Sequence, residues 1–284
     1  MPCPNKAGRK RSPRHSNKRY KICRDKANNF LPAPVTNGTK QSTHIPLAGK
    51  PRPAGGELHI RQRDRQENLG AVSVTDWCDW KWQFRNRVRS LEKLALALER
   101  PVASLAPCRP VIRSYPLAIT PYYLSLLDPA DEKDPLRRQC FPDPRELSFS
   151  LGEMTDPLGE ERTMLVPGLI HRYPDRCLAI VTGDCAVYCR HCNRKRMWRE
   201  KKPGGVRERL QAMVDHVART PSIREVIVSG GDPLLIPERM LDWFLGALQA
   251  VPHVEVLRIG SRAPVTLPMR ITPELCAMLK RHRP

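Results

Sequence analysis

Cys185, Cys189 and Cys192 fall within eight residues in the stretch TGDCAVYCRHCNRKR, a C-x3-C-x2-C spacing, and Arg194, Lys195 and Arg196 follow at once. Three thiols so close together are metal ligands before they are structural bridges, because the chain reads as cytoplasmic, where thiols stay reduced. A structural zinc ion takes four nitrogen or sulfur ligands. The nearest fourth here, His191, is wedged beside Cys192, where geometry opposes joint ligation. An iron-sulfur cubane accepts three protein thiolates and leaves one iron open to a small molecule, although common ferredoxin spacings supply four cysteines. Spacing alone does not separate these readings.

The elements around the cysteines narrow the choice. CLAIVTG (177–183), REVIVSGG (224–231) and HVEVLRIGSR (253–262) are β-branched apolar runs of strand length. Between and after them, GVRERLQAMVDHVART, IPERMLDWFLGALQAV and TPELCAMLKRHR carry apolar faces at helical spacing. Strand alternating with helix predicts βαβ units in a parallel sheet, in which chemistry sits beyond the C-terminal ends of the strands. The cysteines, SGGDPLL and GSRAPVTLP all occupy such loops. Upstream, Trp77, Trp80 and Trp82, then Val88, Leu91, Leu94 and Leu96 at roughly helical spacing, predict a helical preface, with Ser90 and Glu92 near a helix start. The many prolines of residues 116–144 break it into short helices.

C-x3-C-x2-C with an aromatic, Tyr188, before the second cysteine resembles the radical S-adenosylmethionine enzymes. In those enzymes the open iron of a four-iron four-sulfur cluster chelates S-adenosylmethionine. SGGDPLL resembles their Gly-Gly-Glu-Pro type loop; the resemblance implies close backbone approach at Gly230 and Gly231, and Asp232 accepting from the methionine ammonium. Over residues 74–284, DWCDWKWQFRNRV, ITPYYLSLLDP, VPGLIHRYPDRCLAIVT, CRHCNRKR and LRIGSRAPVTLPMRITPEL are similar to lysine 2,3-aminomutase and its relatives. That resemblance implies an isomerase moving an amino group from C2 to C3 of an amino acid, L-lysine first, with pyridoxal phosphate as a further cofactor. It implies Arg194 for the substrate carboxylate and Arg172, Tyr173 and Arg176 for the pyridoxal phosphate. It places the Schiff-base lysine beyond Pro284, so no catalytic residue is assignable and the chain is expected to be truncated at its C-terminus. An external electron donor and, for complete members, homo-oligomers follow from the same resemblance. A rival within the same chemistry is a radical isomerase of a lysine on a translation factor.

The fold expected is therefore α/β: a disordered basic tail over 1–70, a helical region over 71–165, and over 166–284 the first βα units of a partial (β/α) barrel. The formal charge of +20 looks like a nucleic-acid footprint until it is divided, since residues 1–70 hold 16 Lys and Arg against 4 Asp and Glu. A basic tail without regularly interleaved aromatics specifies little, so nucleic acid is not the expected partner. No apolar run reaches the length of a membrane span, and the basic N-terminus lacks the apolar segment of a secretory leader. Cys3, Cys23, Cys78, Cys108, Cys140, Cys177 and Cys276 are expected as free thiols, and His171, His216, His253 and His282 as structural or surface groups.

Overall fold

The computed structural model describes residues 72–128, 130–148, 156–199 and 205–282. The tail expected over residues 1–70 lies outside the described residues. Five strands form one sheet in the order β1-β2-β3-β4-β5: β1 (Met164–Val166), β2 (Leu169–Tyr173), β3 (Arg176–Thr182), β4 (Glu225–Gly230) and β5 (Val256–Ile259). β3, β4 and β5 pair in parallel, and β1 and β2 add antiparallel.

The parallel part follows the alternation of the sequence. The helix Val206–Ala218 connects β3 to β4 and the helix Glu238–Gln249 connects β4 to β5. The first buries Leu210, Met213, Val214 and Val217, and the second Leu241, Phe244, Leu245 and Leu248, each a stripe at i, i+3, i+4, i+7. They close on Val226 and Val228 of β4 and Ala179 and Val181 of β3, with Leu275 and Met278 of the helix Pro273–Arg281 completing this core. That last helix starts as its sequence demands, with Thr272 accepting from the Leu275 N–H and Pro273 at the first helical position.

The antiparallel hairpin was not expected. Tyr173 pairs with Arg176 across Pro174 and Asp175, and Gly168, at φ 87°, turns the chain between β1 and β2. The outer half of β2 is polar and exposed, so it carries no alternation to read.

The helical preface is a second core, built from α1 (Val74–Cys78), α2 (Trp80–Arg85), α3 (Leu91–Ala97), α4 (Arg109–Ser114), α5 (Pro121–Ser125) and α6 (Pro135–Cys140) with 3-10 turns between them. The prolines do divide it into short pieces. Two expectations need correction. Val88 lies in an extended bridge with Ile119, and Leu96 is 71% exposed. Asn86 ends α2 and Ser90 caps α3, so the chain is not helical at Val88. The buried stripe of α3 is Leu91, Leu94, Ala95 and then Leu98, which leaves Leu96 on the outer face.

Candidate active site

β3 ends at Thr182, and the cysteine loop leaves from its C-terminal end, beside the end of β4. Two backbone hydrogen bonds join the loops: Gly231 N–H donates to Thr182 O and Asp232 N–H to Asp184 O, each at 2.7 Å. The glycines are required by this approach. A Cβ at Gly231 would lie 2.2 Å from Asp184 O, and one at Gly230, where φ is 131°, 2.5 Å from Thr182 O. The close backbone contact read from the sequence is thus made with the chain's own preceding strand.

On its other side the cysteine loop is held by the helical region. Val187 is buried in the helical core, Tyr188 N–H donates to Ala118 O at 3.0 Å, and Arg190 N–H to Gln139 O at 2.8 Å. The Tyr188 ring stacks on Trp198 with centroids 4.5 Å apart. Arg87, buried at 4% exposure, donates through Nη1 to Cys185 O, and its guanidinium lies over the Phe84 ring. Burial lowers the Arg87 pKa to about 10, which leaves it cationic at neutral pH.

The positive charge that crowds the cysteines is matched by acidic residues far away in sequence. Arg190 makes two bonds to Glu146, at 2.9 and 2.8 Å, and a third to Pro116 O. Lys195 reaches the same Glu146. Arg194 binds Glu160, which is 3% exposed, at 2.6 Å, and Arg196 binds Asp156, Glu160 and Glu161. Arg194, expected to hold a substrate carboxylate, here holds a carboxylate of its own chain.

The three cysteines are partly buried free thiols on one loop. Burial pushes the Cys185 and Cys192 thiols up, away from the thiolate form, while two donors already face sulfur: the Arg194 N–H at 3.3 Å from Cys192 Sγ, and Arg262 Nη1 at Cys189 Sγ. Among the described residues no group of Cys, His, Asp or Glu converges to hold a single metal ion. A four-iron cubane does not require that convergence, because each thiolate binds a different iron across a cluster several atoms wide. Three thiols on one loop with donors aimed at sulfur fit such a cluster better than a mononuclear ion.

Asp232 is 4% exposed, and its carboxylate accepts from the N–H groups of Leu234, Arg262 and Ala263 and from Ser261 Oγ. It ties the loop after β4 to the loop after β5. Arg172, Tyr173 and Arg176 lie on the β2–β3 hairpin at the other end of β3, a strand of seven residues, or about 20 Å at the usual rise, from the cysteine loop. There the two guanidinium carbons lie 5.7 and 5.8 Å from the Tyr173 ring centroid. Arg172 also donates to Leu158 O, and Arg176 pairs with Asp175. The sequence-derived residues therefore form two groups, the cysteines with Gly230, Gly231, Asp232 and Arg194, and the hairpin trio.

Arg87, Gln139, Glu146, Glu160, Ser261 and Arg262 were not singled out from the sequence. GSRAPVTLP was read as a loop at the right end of a strand, which is the one signal that pointed to Ser261 and Arg262. Cys140 and Cys177 are buried and Cys78 and Cys276 exposed free thiols; Cys3 and Cys23 lie outside the described residues. His253 Nε2 donates to Val217 O, and His282 Nε2 donates to Asp242 Oδ1, as structural groups do. No helix among the described residues is long and apolar enough to cross a membrane.

Residues 179–283 match the radical SAM superfamily. The chain is 44% identical over 223 residues to the L-lysine 2,3-aminomutase of Clostridium subterminale, covering 78% of this chain and 53% of that one. It is 42% identical over 213 residues to the L-lysine 2,3-aminomutase of Bacillus subtilis, at 75% and 45% coverage, and 38% identical over 230 residues to the glutamate 2,3-aminomutase of Clostridioides difficile, at 80% and 54%. The chain spans about half the length of the curated relatives it matches. Three cysteines at the end of the first parallel strand, a GGD loop locked against them and this likeness agree: residues 179–283 carry a radical SAM domain, and over about three quarters of its length the chain is similar to the 2,3-aminomutases.

Proposed function

We propose that this chain carries the cluster-binding and nucleotide-binding part of a radical SAM 2,3-aminomutase, with L-lysine as the amino acid rearranged. The observation that supports it most is the cysteine loop itself, which leaves the C-terminal end of β3 and is held by the helical core through Val187 and by the loop after β4 through Asp184. Cys185, Cys189 and Cys192 would hold a four-iron four-sulfur cluster. When bound, the cluster supplies an electron to the sulfonium of S-adenosylmethionine, and pyridoxal phosphate supplies a π-system conjugated to the migrating nitrogen.

The chain's own residues position and charge the site. Gly230 and Gly231 let the loop after β4 lie against the start of the cysteine loop, and Asp232 locks it to the loop after β5. These strand-end loops would form one wall of the nucleotide site. Arg194 would release Glu160 and take the substrate carboxylate, which offers the same bidentate geometry. Two arginines about one tyrosine ring suit a phosphate, so Arg172, Tyr173 and Arg176 are proposed for the phosphate of pyridoxal phosphate. Lysine is favoured over glutamate as substrate because the two lysine-named relatives given above, at 44% and 42%, exceed the glutamate-named one at 38%.

Anaerobic reconstitution of the chain with iron and sulfide tests the reading. Iron and sulfide in equal amounts, near four of each per chain, with loss of both in Cys185→Ala, Cys189→Ala and Cys192→Ala, is the expected result. Tight zinc binding by all three cysteines without iron uptake would overturn it.

A further inference from the structure

Arg262 follows β5, in a loop with no ligand motif, yet its guanidinium Nη1 donates to the sulfur of Cys189. The contact is held in place from two directions. Nη2 donates to Gln139 Oε1 at 2.8 Å, and the Arg262 backbone N–H donates to Asp232 Oδ2 at 2.9 Å. Gln139, on α6, also accepts the Arg190 N–H on its backbone carbonyl, so one residue fixes both the cysteine loop and the cation that faces it.

The charge is not there to balance a carboxylate. Arg190, Arg194 and Arg196 each face an acidic partner. The hydrogen bonds of the Arg262 side chain run instead to a thiol and a neutral amide, with the Tyr123 hydroxyl beside them. A half-buried cation directed at a cysteine that would ligate iron meets more negative charge when the cluster gains an electron, and its N–H···S bond strengthens with it. Hydrogen bonds to the sulfurs and local charge are among the levers that set a cluster's reduction potential.

We propose that Arg262 is a positioning residue that raises the reduction potential of the cluster held by Cys185, Cys189 and Cys192. This rests on the cluster assignment above. In the step concerned the cluster takes one electron from an external reductant, no covalent bond forms or breaks, and no proton moves.

The test is a redox titration of the reconstituted 284-residue chain with dithionite under electron paramagnetic resonance, comparing wild type with Arg262→Gln, Arg262→Lys and Gln139→Leu. Arg262→Gln should bind the same iron and sulfide, while its ratio of reduced to oxidised cluster at a fixed poise falls about tenfold, a midpoint about 59 mV lower. Arg262→Lys should keep most of the wild-type potential, and Gln139→Leu should shift in the same direction as Arg262→Gln by less. Unchanged potentials accompanied only by lower thermal stability would overturn the proposal and leave Arg262 as a structural tie. Should Arg262→Gln assemble no cluster, Gln139→Leu decides, and an unmoved midpoint there sinks the idea. Failure of the wild type to take up iron would defeat the cluster assignment itself, and this inference with it.

Discussion

Gly231 and Asp184 are packed backbone to backbone, with the Asp184 carbonyl oxygen only 2.2 Å from where a Cβ of residue 231 would stand. Neither side can yield, because Asp184 O also accepts the Asp232 N–H and Thr182 O accepts the Gly231 N–H. Gly231→Ala should therefore cost about 3 kcal/mol or more, in the range of severe packing errors. Urea unfolding of the variant measures it. A loss under about 1 kcal/mol would mean the two loops separate freely.

Asp232 gathers four donors from two loops. Asparagine preserves its shape but replaces one accepting oxygen with a donor, which leaves N–H groups after β5 facing an NH2. Asp232→Asn should lose about 2 to 3 kcal/mol, and S-adenosylmethionine affinity should fall because the loop moves. Calorimetry on the reconstituted variant reads the second effect, and wild-type affinity would show that the nucleotide ignores this loop.

The Arg190–Glu146 pair is nearly dry, with side-chain exposures of 5% and 10%. Removing one partner leaves a buried charge, so Glu146→Leu or Arg190→Met alone should cost about 3 to 5 kcal/mol. The double replacement Arg190→Met with Glu146→Leu should recover a large part of that loss. Additive losses in the double-mutant cycle would refute the coupling.

Acid stability has an identifiable contributor. The Arg145 guanidinium, bonded to Asp143, holds that carboxyl down at about 2, against an ordinary 3.8. A depressed folded-state pKa contributes stability that is complete above 3.8 and is lost as pH falls through about 2. Asp143→Asn should flatten the stability profile across that interval and leave its shape near neutrality unchanged. An acid limb as steep as in the wild type would assign the loss to other carboxylates.

What the sequence made legible was whatever repeats locally. Leu241, Phe244, Leu245 and Leu248 announce a helix, Val226 and Val228 a buried strand, and three cysteines in eight residues a candidate ligand loop, because each signal lies within one element. The hairpin was missed because Arg172 and Tyr173 point to solvent and leave no apolar alternation. The partners of the basic run were missed for another reason. Glu146 lies 44 residues from Arg190, and Gln139 lies 123 from Arg262, and no periodicity encodes which distant acid or amide a guanidinium will meet. The side chains that set the charge of the candidate site were therefore invisible until the two cores were placed together.

The burial of Val187 in the helical core, with Tyr188 bonded to Ala118 and Arg190 to Gln139, makes the cysteine loop a tenant of two cores at once. A recombination crossover between residues 140 and 185 would hand the cysteines to a foreign helical region and strip them of every one of these anchors. The inheritable unit of this site is thus the whole span from Arg87 to Arg262, and exchange of either core alone, however well it folds, would deliver thiols without a fixed place to stand.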